Sequence, residues 1–256
     1  MQSVVLDVFN QSDERQGFGC TVISNGYQNP CYSNPMNSFL PQSETPHTSQ
    51  DSACISNQTN EAGKDDIFLT FDDGPNEPYT SQILDVLKAH DARATFFVCG
   101  MGVERFPLVT RRILDEGHSI GNHAYSHSML LTITGLLGKE IEKTGELILK
   151  TTGVKTRLFR PPWGVATPWL KRYLKAHHYQ TILWDVNSYD WSGIPASSIE
   201  GIVLKKACPG AVILLHDGKN SKQHHDRSQT VQALPAIIKA LKQRGFCLKG
   251  ICRANL

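Results

Sequence analysis

The sequence predicts an α/β fold, a distorted and incomplete (β/α) TIM-like barrel preceded by a disordered N-terminal segment. Three observations carry this expectation. Composition changes sharply near residue 64. Beyond residue 66, short apolar runs with β-branched or aromatic content alternate with helix-length amphipathic segments, the pattern of a parallel sheet wound by crossover helices. The polar residues that could do chemistry fall at the C-terminal ends of those runs, where a parallel barrel gathers its functional groups.

The front segment comes first. The stretch "CYSNPMNSFLPQSETPHTSQDSACISNQTNEAGKDD" is rich in Ser, Asn, Gln, Thr and Pro and has no apolar period. It cannot bury enough surface to offset its ordering entropy, so residues 1–64 are expected to be flexible, with a short strand around 4–9. The opening "MQSVVLDVFN" has no basic leader, and Asp7 interrupts its apolar stretch, so it does not read as a secretory signal. Cys20, Cys31 and Cys54 lie in this segment, while Cys99, Cys208, Cys247 and Cys252 are scattered beyond it. None shows C-x-x-C spacing and the total is odd, so the thiols are expected to be buried or idle. The lone sequon Asn57-Gln58-Thr59 is too common a pattern to imply glycosylation.

The remaining chain, 65–256, is expected to be one domain, the part that carries the chemistry-bearing residues. Candidate strands are 67–71, 94–99, 119–121, 157–160, 181–186, 211–215 and 246–249. Between them lie helical patterns: "YTSQILDVLKAH", "ERFPLVTRRILDEG", "LLGKEIEKTGELILKTTG", "ATPWLKRYLKAHH", "SSIEGIVLKKA" and "TVQALPAIIKALKQRG". Several close with Gly soon after a basic last turn, which suits a helix C-terminus. An open doubly wound sheet would alternate in the same way, but no G-x-G-x-x-G follows the first strand, and the barrel is preferred. The formal charge of +2, from 26 basic and 24 acidic residues, gives no sign of a nucleic-acid binder. The longest apolar run, 211–215, is too short to cross a bilayer.

The first strand, "IFLTFDDGPNEP", ends in two adjacent carboxylates, Asp72 and Asp73. Two like charges at the tip of a buried strand repel each other and must both be desolvated, unless a cation absorbs one of them. Further along, "IGNHAYSHSML" carries His123 and His127 at i, i+4, a spacing at which one helical turn brings both imidazoles to one side. With Asp73 they make a three-ligand set with an open position, the pattern of a catalytic metal site. Asp73 is therefore assigned to the metal, and Asp72 is left free to take a proton from the attacking water. Gly74-Pro75 is expected to turn the chain away and leave space above both carboxylates. Zn²⁺ is the default ion, although Co²⁺ or another first-row ion suits the same ligands.

The segments "TFDDGP", "HAYSH", "RPPWG", "DW" at Asp190-Trp191 and "LLHDG" occur in that order. Together they resemble the polysaccharide deacetylases of the NodB-homology type, carbohydrate esterase family 4, over about residues 65–252. The resemblance implies an incomplete (β/α) barrel and metal-dependent removal of acetyl groups from N-acetylated sugars such as chitin, chitooligosaccharide or peptidoglycan. It implies Asp72 as general base, Asp73, His123 and His127 as metal ligands, and Arg160 as the group orienting the base. His216 would protonate the departing amine and Asp190 would hold and tune it. Trp191 and Leu214 would line a pocket for the acetyl methyl, and the Trp163 N–H would help hold the oxyanion. Trp163 and Trp191 also suit stacking on a sugar face.

Two positions depart from the family pattern. Ala124 stands where the second motif usually has Ser or Thr, which would weaken support of a metal ligand. Asn187 stands where the fourth motif often has Asp, which would alter local hydrogen bonding. The loop "GKNSKQHHDRSQT" adds His224 and His225 near the site and reads first as a solvated loop. Rival readings are an O-acetyl esterase on xylan, an amidohydrolase on a small non-sugar amide, and a carbohydrate-binding barrel without turnover. The last should have lost the base, a ligand or the acid, yet Asp72, Asp73, His123, His127 and His216 are all present.

Overall fold

The computed structural model describes residues 21–22, 65–219 and 225–252. Apart from Thr21 and Val22, the expected flexible leader lies outside these residues, with its candidate strand 4–9, Cys20, Cys31, Cys54 and the Asn57 sequon. His224 also lies outside them. In chain order the elements are β1 (Thr21–Val22), β2 (Asp66–Asp72), α1 (Tyr79–Ala89), β3 (Ala94–Val98), α2 (Gly100–Arg105), α3 (Pro107–Asp115), β4 (Ser119–Asn122), α4 (Met129–Thr134), α5 (Gly138–Thr152), β5 (Leu158–Phe159), α6 (Pro168–Ala176), β6 (Gln180–Thr181), β7 (Val186–Asn187), α7 (Ala196–Lys206), β8 (Val212–His216), α8 (Ser228–Gln243), β9 (Cys247–Leu248) and β10 (Ile251–Cys252). The main sheet runs β6-β5-β4-β3-β2-β8-β7, with β9 added at the start of β2, and every pairing is parallel. It curls into the expected incomplete barrel.

The sequence sorts the two faces of this sheet by period two. Ile67, Leu69 and Phe71 of β2, Phe96 and Val98 of β3, and Ile213 and Leu215 of β8 join one large core. There they meet helix residues such as Ile83, Leu87, Ile199, Ile237 and Leu241. The alternate residues, Phe68, Phe97, Leu158 and Val212, form a second cluster with Ile182 and Ile251 in the barrel interior. Ile251 also donates its N–H to Thr95 Oγ1 at 2.8 Å, so the last strand plugs the lower end of the barrel. Above this floor the same face continues as Thr70 and Asp72 on β2 and Leu214 and His216 on β8.

Three expectations about elements need correction. The single strand expected over 181–186 is two, because β6 pairs with β5 while β7 pairs with β8, and the barrel opens between them. In that opening the carbonyls of Ile182 and Leu183 accept from the Arg160 guanidinium at 3.1 and 3.0 Å. The helix expected to begin near Glu104 is divided by Phe106, whose φ of −124° and ψ of 58° fall outside the helical region, and restarts with Pro107 in the first turn. α4 was not expected at all, since its "MLLTIT" lacks a helical period. Ser128 caps its start, and Gly135 closes it at φ 73°. Cys99, Cys208 and Cys247 are free thiols. Among the described residues no helix is long and apolar enough to cross a membrane.

Candidate active site

Asp72 and His216 are register partners on the adjacent parallel strands β2 and β8, at the upper rim of the barrel. Neighbouring strands lie about 4.8 Å apart, so the two groups stand side by side. Asp73 follows with φ at 76°, which swings its side chain off the strand. Gly74 follows in the turn. A Cβ there would meet Asp217 Oδ2 at 2.0 Å, so glycine is required for the close approach of that carboxylate. Asp217 Oδ2 accepts from Thr80 Oγ1 at 2.7 Å, and its N–H donates to Asp72 O at 3.2 Å, tying the end of β8 to the turn after β2. Burial pushes the Asp217 carboxyl up to about 7.

Asp73, His123 and His127 are all buried, and each offers one ligand atom within 4.8 Å of the others'. Asp73 Oδ1 lies 3.4 Å from His123 Nε2 and 3.3 Å from His127 Nε2. The i, i+4 pair is not on a helix. It occupies the loop between β4 and α4, and Ala124 and His127 both have positive φ, 63° and 54°. His123 Nδ1 is 2.7 Å from Arg160 O; a carbonyl only accepts, so Nδ1 carries a proton and Nε2 points at Asp73. Burial opposes charge on His123, yet Asp72 and Asp73 outweigh it and raise its pKa, so the cluster attracts a cation. Burial pushes His127 down to about 4, which keeps it neutral and able to donate its lone pair. Burial also works against the Asp73 carboxylate, but its His123 hydrogen bond and the imidazoles that surround it hold it well below the usual range. An oxygen anion with two imidazole nitrogens fits a divalent first-row cation.

This loop is held from outside. Asn122 Oδ1 accepts from Ala124 N at 2.9 Å, and Asn122 Nδ2 donates to Ile141 O at 2.8 Å. Glu140, in the first turn of α5, accepts from Ser126 Oγ at 2.6 Å and Ser126 N at 3.1 Å. At the Ala124 departure the backbone is thus anchored through Asn122 and Glu140 without a side-chain hydroxyl. Neither anchor carried a signal in the sequence beyond Asn122 standing next to His123.

Two carboxylate–cation pairs flank the cluster. Arg160 continues the interior face of β5 two residues after Leu158, is fully buried, and lies over the Phe97 ring at 4.1 Å. Its Nη1 donates to Asp72 Oδ1 at 2.7 Å and to Thr70 Oγ1 at 2.8 Å. On the other side His216 Nδ1 meets Asp190 Oδ1 at 2.7 Å. Asp190 Oδ1 also accepts from Ser188 Oγ at 3.0 Å, and Oδ2 accepts from His216 N at 2.7 Å and Thr230 Oγ1 at 2.9 Å. Burial lowers His216, but Asp190 beside it wins and raises its pKa. The same contact holds Asp190 low against its own burial. Asn187 Oδ1 accepts from Tyr189 N at 2.9 Å and shapes the turn that delivers Asp190.

The aromatic candidates differ from Leu214. Trp163 and Trp191 are half exposed, at 45% and 50%, whereas Leu214 is buried in β8. The Trp163 ring meets His127 edge-on at 4.6 Å, and its φ of 60° places it in a tight turn. His225 stands apart from the cluster; its backbone carbonyl accepts from Asn76 Nδ2 at 3.0 Å. Thr70, Thr80, Ser188 and Thr230 were missed by sequence reasoning. Only Thr70 carried a usable signal, being two residues before Asp72 on the same strand face.

Comparison with known proteins shows which family this chain resembles in sequence and fold. Residues 59–182 match the family described as polysaccharide deacetylase. A peptidoglycan-N-acetylglucosamine deacetylase of Bacillus cereus is 38% identical over 183 residues, 71% of this chain and 65% of its own length. A chitooligosaccharide deacetylase of Rhizobium leguminosarum bv. trifolii is 41% identical over 201 residues, 75% of this chain and 93% of its own length. The crystal structure of the Bc1960 peptidoglycan N-acetylglucosamine deacetylase superposes with a TM-score of 0.68 at 36% identity, covering 73% of this chain and 86% of that one.

Proposed function

This chain belongs to the polysaccharide deacetylase family, and we propose that it hydrolyses N-acetyl groups on a β-linked amino-sugar polymer or oligomer, of the peptidoglycan or chitooligosaccharide type. One observation carries the reading: a carboxylate and an imidazole in register at two strand ends, beside an Asp-His-His cluster. Amide hydrolysis needs an activated water, charge stabilisation on the carbonyl oxygen, and a proton for a poor leaving group. Asp73, His123 and His127 would hold a divalent ion, most naturally Zn²⁺, which supplies Lewis-acid polarisation and a lowered pKa for water.

Asp72 takes the proton of the attacking water through the carboxylate that Arg160 fixes in place. His216 carries its proton on the imidazolium that Asp190 favours, and delivers it to the departing sugar nitrogen. The Trp163 N–H, in its strained turn, helps hold the developing oxyanion. Leu214 faces the acetyl methyl, and the exposed faces of Trp163 and Trp191 receive the sugar ring.

The test is acetate release from N-acetylated chitooligosaccharides and peptidoglycan fragments, with the metal-reconstituted protein beside an Asp72→Asn variant and a chelated sample. Release is expected from the first alone. No release with metal demonstrably bound, together with release from O-acetylated xylan, would replace this reading with the esterase.

A further inference from the structure

Next to the site, the molecule leaves large apolar side chains uncovered. Leu130 and Leu136 are 65% and 68% exposed, and Trp169 is 65% exposed. Ile133 is more than half exposed as well. α4 already uses Leu131 and Thr132 to face the protein, so Leu130 and Ile133 are surplus to its packing. The surface is continuous. A Cβ on Gly135, at the end of α4, would lie 3.0 Å from Trp169 Cβ, and Trp163, against His127, also borders α4. It therefore begins at a proposed metal ligand and spreads outward.

The charge beside it is mainly positive. Residues 154–184 contain no Asp or Glu, and Lys171, Arg172 and Lys175 of this stretch are exposed on α6. The Arg172 guanidinium lies 5.5 Å from the Trp169 ring. Lys139 adds a further exposed cation just past Leu136. Of the nearby acids, Glu140 accepts from Ser126, and the exposed Glu142 accepts from Tyr173 Oη at 3.0 Å and partly offsets Lys139. Exposed Leu, Ile and Trp bordered by Lys and Arg are what an interfacial segment presents to lipid. A sugar chain would gain little from Leu130, Ile133 and Leu136. A second copy whose two-fold axis passed through Lys171, Arg172 and Lys175 would set like charges together.

We propose that this face docks the protein on an anionic phospholipid surface. Leu130, Ile133, Leu136 and Trp169 enter the headgroup region, and Lys139, Lys171, Arg172 and Lys175 meet lipid phosphates. Docking of this kind sets the mouth of the site against the membrane, where it meets amino sugars close to that surface. The inference stands apart from the deacetylase reading, since binding is scored without turnover.

The test is co-sedimentation of the full 256-residue chain with vesicles of phosphatidylcholine alone and of phosphatidylcholine mixed with phosphatidylglycerol. Binding is expected to the mixed vesicles only, weakening as salt rises. Either Ile133→Ser with Leu136→Ser, or Lys171→Glu with Arg172→Glu, should weaken it by at least about tenfold. Thermal transitions verify that the variants fold, and the charge pair alone decides the matter if the apolar pair does not. Three results overturn the inference: no binding to mixed vesicles, binding unchanged in the folded variants, or a concentration-dependent dimer that Leu136→Ser dissolves.

Discussion

The Arg160–Asp72 and Asp190–His216 contacts are both 2.7 Å long, yet they are built in opposite senses. In the first, the permanent charge is the cation: a fully buried guanidinium, which does not titrate in the working range, aims a carboxylate. In the second, the fixed charge is the anion: four donor contacts bracket Asp190, and the partner that titrates is the imidazole. Exchanging which member can release a proton makes one pair suit a base and the other an acid. In the proposed reaction the same Coulomb attraction thus serves two proton-handling roles a strand apart.

The most damaging way to break this comparison is Arg160→Met. It strands Asp72 without its cation and leaves the open seam at Ile182 and Leu183 without its donor. A loss of about 3–5 kcal/mol of stability is expected in denaturant titration. Glu140→Ala keeps both pairs but loosens the loop between them, and metal affinity measured against a chromophoric chelator should fall about 10–100-fold.

Asp190→Asn sharpens the comparison through pH. A raised His216 pKa keeps the imidazolium present to higher pH, and activity is lost as pH climbs through it. Removing the Asp190 charge lowers that pKa, so the alkaline limb of the kcat profile should move to lower pH. Activity then falls more on the alkaline side than on the acid side. Thr230→Val removes one donor from Asp190, worth about 0.5–1.5 kcal/mol, and its smaller perturbation should show chiefly in thermal stability.

Much of this was legible in the sequence because strands are local. The apolar runs "IFLTF" and "AVILL" marked the sheet, and their ends placed Asp72 and His216 at strand tips. What failed were inferences of local geometry from spacing. His123 and His127 at i, i+4 suggested a helical turn, but a loop with left-handed Ala124 and His127 meets the same spacing. The run 181–186 suggested one strand, because nothing local shows that Arg160 claims the carbonyls in its middle. Gly74 read only as part of a turn, because the Asp217 carboxylate that requires its missing Cβ arrives from more than a hundred residues away. Long-range partners such as Glu140, Thr80 and Thr230 leave no periodic mark.

The division of labour between the two pairs is tested most directly by comparing an N-acetyl amide with a matched activated O-acetyl ester, for Asp72→Asn and His216→Ala. An ester leaving group needs little protonation, whereas a sugar amine needs it fully. Asp72→Asn should slow kcat/KM for both substrates by a similar factor, about 10²–10⁴. His216→Ala should slow the amide by that much and the ester far less. Equal losses on both substrates for His216→Ala, or an Asp72→Asn loss confined to the amide, would contradict the account.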